Sequence, residues 1–201
     1  MTLKIVRNLK TYALSALMML SLLLFMHAAH SASLLNALMD GQHVLMIRHA
    51  DAPGFSDPPG FKVSECSTQR NLGERGRKQA RVLGEWLTQQ GITSARMLSS
   101  PWCRCMDTAT LMAKGPVQAA PALGSFFQNM SESGQQTLAL RRLLAQELKA
   151  SPWKPLILVT HQVNISAFTG QSVGQGDVML VKVSPEGAYL SHQSISVPKF
   201  D

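Results

Sequence analysis

Val44-Leu45-Met46-Ile47 and Leu156-Ile157-Leu158-Val159 are each apolar at every position. An uninterrupted run of that length predicts a strand covered on both faces, not one that alternates with solvent. The first is entered from Gly41 and His43 and ends at Arg48; the second ends at His161 through Thr160. Between residues 74 and 90 the period changes. There Ala80, Val82, Leu83, Trp86 and Leu87 recur at helical spacing, and Gly91 supplies a stop. Arg96–Ser99 is a further short strand candidate, and Pro101 suits the first turn of a helix running to about Ala113. Residues 135–148 are helical in composition, and 177–183 with 188–195 predict a closing antiparallel pair. Pro53, Gly54, Asp57, Pro58, Pro59 and Gly60 mark one long loop, and Gly115, Pro116, Pro121 and Gly124 mark another. Strands alternating with helices predict an α/β layer fold with a mostly parallel central sheet. Ligands of such sheets sit beyond the carboxyl ends of the strands, where Arg48-His49 and His161 stand.

The N-terminus obeys a different pattern. Lys4, Arg7 and Lys10 precede an apolar run over residues 13–26, and Ala28, Ala29, Ser31, Ala32 and Ser33 follow. That run of about 14 residues is shorter than the ~20 of a spanning helix, and the three parts match a secretory leader. We expect residues 1–32 to be a signal peptide cut between Ala29 and Ser33, with residues 33–201 forming one domain. An uncleaved anchor or a buried N-terminal helix is the alternative. The expected location is periplasmic or secreted, with no stable membrane anchor after leader removal.

Charge then has to be read without the leader. The whole chain has 19 Lys and Arg against 12 Asp and Glu, but outside the leader the count is 16 against 12, a net +4. That surplus suits a small anion as well as a polyanion. No basic run with interleaved aromatics lies outside the leader, so nucleic-acid binding is not expected. With 45% apolar and 15% charged residues, disorder, coiled coil and collagen are excluded. Export also permits a disulfide. Cys103 and Cys105 are too close to bridge each other comfortably, so Cys66 is expected to pair with one of them. Neither a Cys-x-x-Cys nor a His-x-x-x-His spacing occurs, and no metal or cofactor is expected.

The chemistry-bearing residues fall at three strand ends. Arg48-His49 joins a bidentate cation to a nucleophile or base. Ser99-Ser100-Pro101 leads directly into a helix bearing Arg104 one turn in, so free N–H groups would face the same crevice. Thr160-His161 brings a second imidazole. Two Arg and two His with no acidic partner would form a strongly cationic pocket suited to a phosphoryl group.

These residues are similar to the motifs of the histidine phosphatase superfamily, related to phosphoglycerate mutase. Arg48-His49 resembles the Arg-His-Gly signature, with Ala50 in place of Gly. Residues 69–80, with Leu72, Gly73, Gln79 and Ala80, resemble the Leu-Thr-x-x-Gly-x-x-Gln-Ala helix start. Ser99-Ser100-Pro101 with Arg104 and Thr108-Ala109 is similar to the Ser-Ser-Pro…Arg…Thr-Ala helix, and Val159-Thr160-His161 to the final histidine motif. The resemblance implies a three-layer α/β/α sandwich of phosphoglycerate mutase-like type. It implies a phosphoric monoester hydrolase of histidine acid phosphatase type, acting on a small phosphorylated substrate. His49 would become the phosphohistidine, Arg48 and Arg104 would bind phosphate oxygens, and His161 would complete the pocket. Exported relatives that act on a lipopolysaccharide-core sugar phosphate suggest one substrate.

Relatives that act on alkyl phosphates carry an acid that protonates the leaving oxygen. Glu132 is the only acid between Asp107 and Glu147 and is the candidate donor, although it could equally cap the following helix. Asp51 and Asp57 are expected to cap the loop after His49, and Phe126 and Phe127 to lie in the core. Two alternatives are a phosphohistidine phosphatase and a catalytically silent phosphate-binding member of the family.

Overall fold

A computed structural model describes residues 34–198; the expected leader, residues 1–32, lies outside the described residues. The elements that position the site are, in chain order, β1 (His43–Arg48), α1 (Glu74–Gln89), β2 (Arg96–Ser99), α2 (Cys103–Leu111), β3 (Val117–Ala119), α3 (Ser133–Ala150), β4 (Leu156–Thr160), α4 (Gln162–Thr169), β5 (Val178–Val183) and β6 (Tyr189–Ile195). The sheet order is β3-β2-β4-β1-β5-β6. Pairs β1–β4, β2–β4 and β2–β3 are parallel, whereas β5 runs antiparallel to both β1 and β6. The mostly parallel sheet and the closing antiparallel pair are both present. No helix among the described residues is long and apolar enough to cross a membrane.

Period-two alternation along the buried strands builds two cores, one on each face of the sheet. Leu45, Ile47, Met97, Ile157 and Val159 meet Leu83 and Leu87 of α1 and Ala109 of α2. Their neighbours Val44, Met46, Leu98, Leu156 and Leu158 meet Leu140, Leu144 and Leu148 of α3 and Ile165 and Phe168 of α4. That is the α/β/α sandwich, and it explains why β1 and β4 are apolar throughout. Each fully buried Leu or Ile adds about 1.5–3 kcal/mol of transfer free energy.

Helix α1 stops as its sequence predicts. Gly91 is left-handed at φ +80, and its N–H and that of Ile92 reach back to the carbonyls of Thr88 and Leu87. Two boundaries differ from expectation. Helix α2 starts at Cys103, because Trp102 is still extended and Pro101 lies before it. Strand β3 occupies the segment read as loop; three residues between Pro116 and Pro121, mostly solvent-facing, are too few to show a period.

Register decides where the chemistry collects. Arg48 pairs with Thr160, and Ser99 with Val159. His49, Ser100 and His161 therefore leave the sheet at one edge, with the His49 N–H bonded to Thr160 O and that of Ser100 to Val159 O. Helix α1 packs close below this edge: a Cβ on Gly76 would lie 1.9 Å from the Asp51 carbonyl oxygen.

The loop after His49 is tied down by a disulfide between Cys66 and Cys103, with Cα atoms 5.7 Å apart, while Cys105 is free and buried. The bridge spans 37 residues, and closing a loop of that size restricts the unfolded chain by about 2–4 kcal/mol. Replacing both Cys66 and Cys103 by Ser is expected to lower unfolding free energy by about that amount in a urea titration. A loss under about 0.5 kcal/mol would show that the bridge adds no net stability by restricting the unfolded chain.

Candidate active site

The strand ends open into a cavity of about 300 Å³ lined by Arg48, His49, Asp57, Arg70, Arg104 and His161 among others. Burial and hydrogen bonding fix the state of each imidazole. His49 Nδ1 lies 2.8 Å from the Ala50 carbonyl, so Nδ1 carries the proton and Nε2 keeps its lone pair. Burial pushes the His49 pKa down to about 3, and the Arg104, Arg70 and Arg48 charges act in the same direction; the Ala50 bond opposes them. His161 is depressed well below its usual value, again by burial first and then by Arg104. Its Nε2 lies 2.7 Å from Ser100 Oγ, and its Nδ1 lies 3.5 Å from Arg104 Nη2. Because a guanidinium only donates, Nδ1 accepts and Nε2–H is given to Ser100. The two rings meet edge to face, centroids 5.5 Å apart.

The expected pair of arginines becomes three. Arg48 donates to Val173 O at 2.8 Å. Arg70 donates from Nη1 to the carbonyls of Ala52 and Gly54, which ties down the loop after His49. Arg104 is almost fully buried, and each of the three has an Nε with no hydrogen-bond partner among the described residues. Three guanidinium groups lining one cavity favour an anion.

The expectation of a pocket without an acid is corrected by Asp57. Its carboxylate takes Arg104 Nη1 at 2.7 Å and Nη2 at 3.1 Å, the Trp102 indole N–H at 3.2 Å and the Arg70 amide at 2.9 Å. It is a buried counter-charge and not only a loop cap, because a guanidinium sealed away from water requires one. Proximity in sequence gave no sign of this, since Asp57 and Arg104 lie far apart along the chain. Arg70 was visible only as a residue beside the helix-start motif.

The other motif residues are explained by what they hold. Gln79 accepts the Asp51 N–H at 2.8 Å and donates to Gln175 O at 2.9 Å, joining α1 to the loop after His49 and to the loop before β5. Thr108 Oγ1 accepts the Ala50 N–H at 3.0 Å. Gln69 Oε1 accepts the Cys103 N–H, satisfying one free donor at the start of α2. Cys105 lies 3.5 Å from His161 Nε2, but burial pushes its thiol up to about 12, so it stays protonated.

Glu132, the expected proton donor, is not brought to the site. It is exposed, ends a short 3-10 turn before α3 and accepts from Asn129 Nδ2 at 2.7 Å; it is not among the residues lining the cavity. Phe126 and Phe127 part company: Phe126 is buried, whereas Phe127 is exposed and lines the cavity. Asp51 takes part in the loop through its backbone, its N–H bonded to Gln79 Oε1 and its carbonyl accepting the Gly73 N–H. His43 pairs with Asp40 at the entry to β1, and His192 bonds to Tyr189 on the edge strand, both outside the cavity lining.

Comparisons with known proteins agree with this geometry. Residues 44–126 match the model of the histidine phosphatase superfamily (branch 1). A 73-residue segment, 36% of this chain, is 30% identical to the mitochondrial serine/threonine-protein phosphatase Pgam5 of Drosophila ananassae, of which it spans only 22%. Among solved structures, the protein histidine phosphatase SixA complexed with tungstate is similar at a TM-score of 0.51 with 18% identity, covering 76% of this chain and 96% of that one. The phosphoserine phosphatase of Entamoeba histolytica in complex with 3-phosphoglyceric acid is similar at 0.54 with 12% identity, covering 79% and 97%. At those identities the two structures bear on the fold alone. The matched segment, residues 44–126, carries Arg48-His49 and the Ser99–Arg104 motif and is similar to branch 1 of the histidine phosphatase superfamily.

Proposed function

We propose that this protein is an exported phosphatase that hydrolyses a phosphomonoester through a covalent phosphohistidine on His49. The observation that carries the reading is the state of His49: a buried, neutral imidazole with Nδ1–H spent on Ala50 and Nε2 facing a cavity walled by three guanidinium groups. A neutral nitrogen nucleophile needs no deprotonation before it attacks, so the residues around it have only to place and neutralise the phosphoryl group. Arg48, Arg70 and Arg104 supply fixed positive charge around a loose transition state. His161, fixed by Ser100, contributes a neutral dipole to the same wall. The Cys66–Cys103 bridge and the leader-like N-terminus support export, because such bridges persist in oxidising compartments.

His49→Ala is expected to lower kcat on para-nitrophenyl phosphate by at least a thousandfold, on the order of removing a covalent nucleophile. Labelled phosphate should be trapped on the wild type in acid-labile form and not on the variant. A variant that keeps a tenth of wild-type turnover would refute the assignment.

The depressed histidines also fix the pH behaviour. His49 binds its proton near pH 3 when folded and near 6.5 when unfolded, so the unfolded state holds more protons between those values. Its contribution to stability is complete above about pH 6.5 and is lost as pH falls toward 3, by up to about 1.4 kcal/mol per unit. His161 acts in the same direction. Urea midpoints should therefore drop steadily from pH 6.5 to 4.5, while kcat shows no acid limb near 6.5 as long as the protein stays folded. A kcat that halves near pH 6.5 in folded protein would show that His49 is not held neutral.

A further inference from the structure

The cavity has a mouth that the phosphate chemistry does not use. Phe55 is 83% exposed and Phe127 40%, and the two rings meet edge to face with centroids 5.3 Å apart beside the arginine-lined floor. Deeper in the same wall, Phe61 lies 6.0 Å from Trp102, and Trp102 lies 5.4 Å from His161. What sets this pair apart is its position: two packed rings that both line a cavity with polar walls form an apolar patch of the kind a ligand covers.

Its placement is tightly held. Arg70 grips the carbonyls of Ala52 and Gly54 on one side of Phe55, and Asp57 is fixed to Arg104 and Trp102 on the other. The segment bearing Phe127 is bonded from below: Thr160 Oγ1 donates to Leu123 O at 2.7 Å and Asn164 Nδ2 to Gly124 O at 2.8 Å. Arg70, Asp57 and Arg104, which build the anion site, thus also fix the loop that sets Phe55 beside Phe127.

A second observation concerns proton supply. Among the lining residues Asp57 is the sole carboxylate, and both its oxygens already accept hydrogen bonds, four in all. The His161 Nε2–H is given to Ser100 and the His49 Nδ1–H to Ala50. Glu132 is not among the lining residues. No acidic side chain lining the cavity has a proton free for a departing oxygen. An alkoxide, about as basic as hydroxide (water pKa about 15.7), needs such a proton. A phenolate, with a conjugate acid near 10, does not.

We propose that the substrate carries its phosphate on an aromatic hydroxyl, and that Phe55 and Phe127 hold that ring at the mouth. The proposal rests on the phosphatase reading above. His49 Nε2 forms a bond to phosphorus as the P–O(aryl) bond breaks, and the electron pair leaves on the phenolate, which takes a proton from solvent. Water then forms a P–O bond as the P–N bond breaks, returning the pair to Nε2 and releasing inorganic phosphate, with the surplus proton passing to solvent. Ring stacking at the mouth orients the ester oxygen away from Nε2.

The test is kcat/KM of the full chain on phenyl phosphate, phosphotyrosine, glycerol 2-phosphate, glucose 6-phosphate, acetyl phosphate and N-phosphoimidazole. Acetyl phosphate has a good leaving group but no ring, so it separates the two arguments. Aryl esters are expected to exceed glycerol 2-phosphate and glucose 6-phosphate on the order of a hundredfold. Phe55→Ala and Phe127→Ala should each lower the phenyl-to-acetyl phosphate ratio about tenfold, and Phe55→Tyr, which keeps the ring, should hold it. Phe55 is exposed, so its replacement does not threaten folding. Equal rates on aryl and alkyl esters, N-phosphoimidazole outrunning every aryl ester, or an unchanged ratio in both alanine variants would overturn the aryl assignment and leave the phosphatase reading standing. No turnover of any of the six compounds would overturn the phosphatase reading itself, and this proposal with it.

Discussion

Arg104 is sealed from water at the heart of the molecule, and a guanidinium in that position must be matched by a charge and by acceptors. Asp57 provides both in one planar contact, through two hydrogen bonds of 2.7 and 3.1 Å. Much of the site follows from that pair. Asp57 fixes the loop that carries Phe55, takes the Trp102 indole and receives the Arg70 amide. The disulfide from Cys66 to Cys103 fastens the same loop to the residue next to Arg104. Removing one partner would leave a bare charge inside the protein, which costs several kcal/mol, whereas the intact pair contributes little net stability. Its role is geometric: it holds Arg104 fixed, with Nε unpaired, at the edge of the cavity.

The two histidines show how burial divides labour. Both lose their charge for the same leading reason, transfer out of water, and the surrounding arginines reinforce it. Their hydrogen bonds then separate them. His49 spends its proton on the carbonyl of the next residue and keeps the lone pair on Nε2 free. His161 spends its own on Ser100 and turns an acceptor toward Arg104. The result is a wall of fixed positive charge around a neutral imidazole, an arrangement suited to a doubly charged phosphoryl group.

The chain by itself determined the layers. Short apolar runs bounded by turn residues fit strands covered on both faces, so β1 and β4 and the mostly parallel sheet were legible from residues 44–47 and 156–159. Arg48, His49 and His161 were legible too, because they end those runs and ligands gather at strand ends. Helix α4 and the three-residue β3 were not, since short elements carry too few positions to establish a period.

What only the folded molecule decided is pairing across distance. Cys66 joins Cys103 and leaves Cys105 free, Asp57 meets Arg104 and not the solvent, and Phe127 turns outward while Phe126 turns in. Glu132, chosen because no other acid was near in sequence, ends in solvent on the far side of a turn. Proximity along the chain says nothing about loops that cross the sheet edge. Their contacts are set by the register of β1, β2 and β4 and by the need to neutralise each buried charge, neither of which is written in a local pattern.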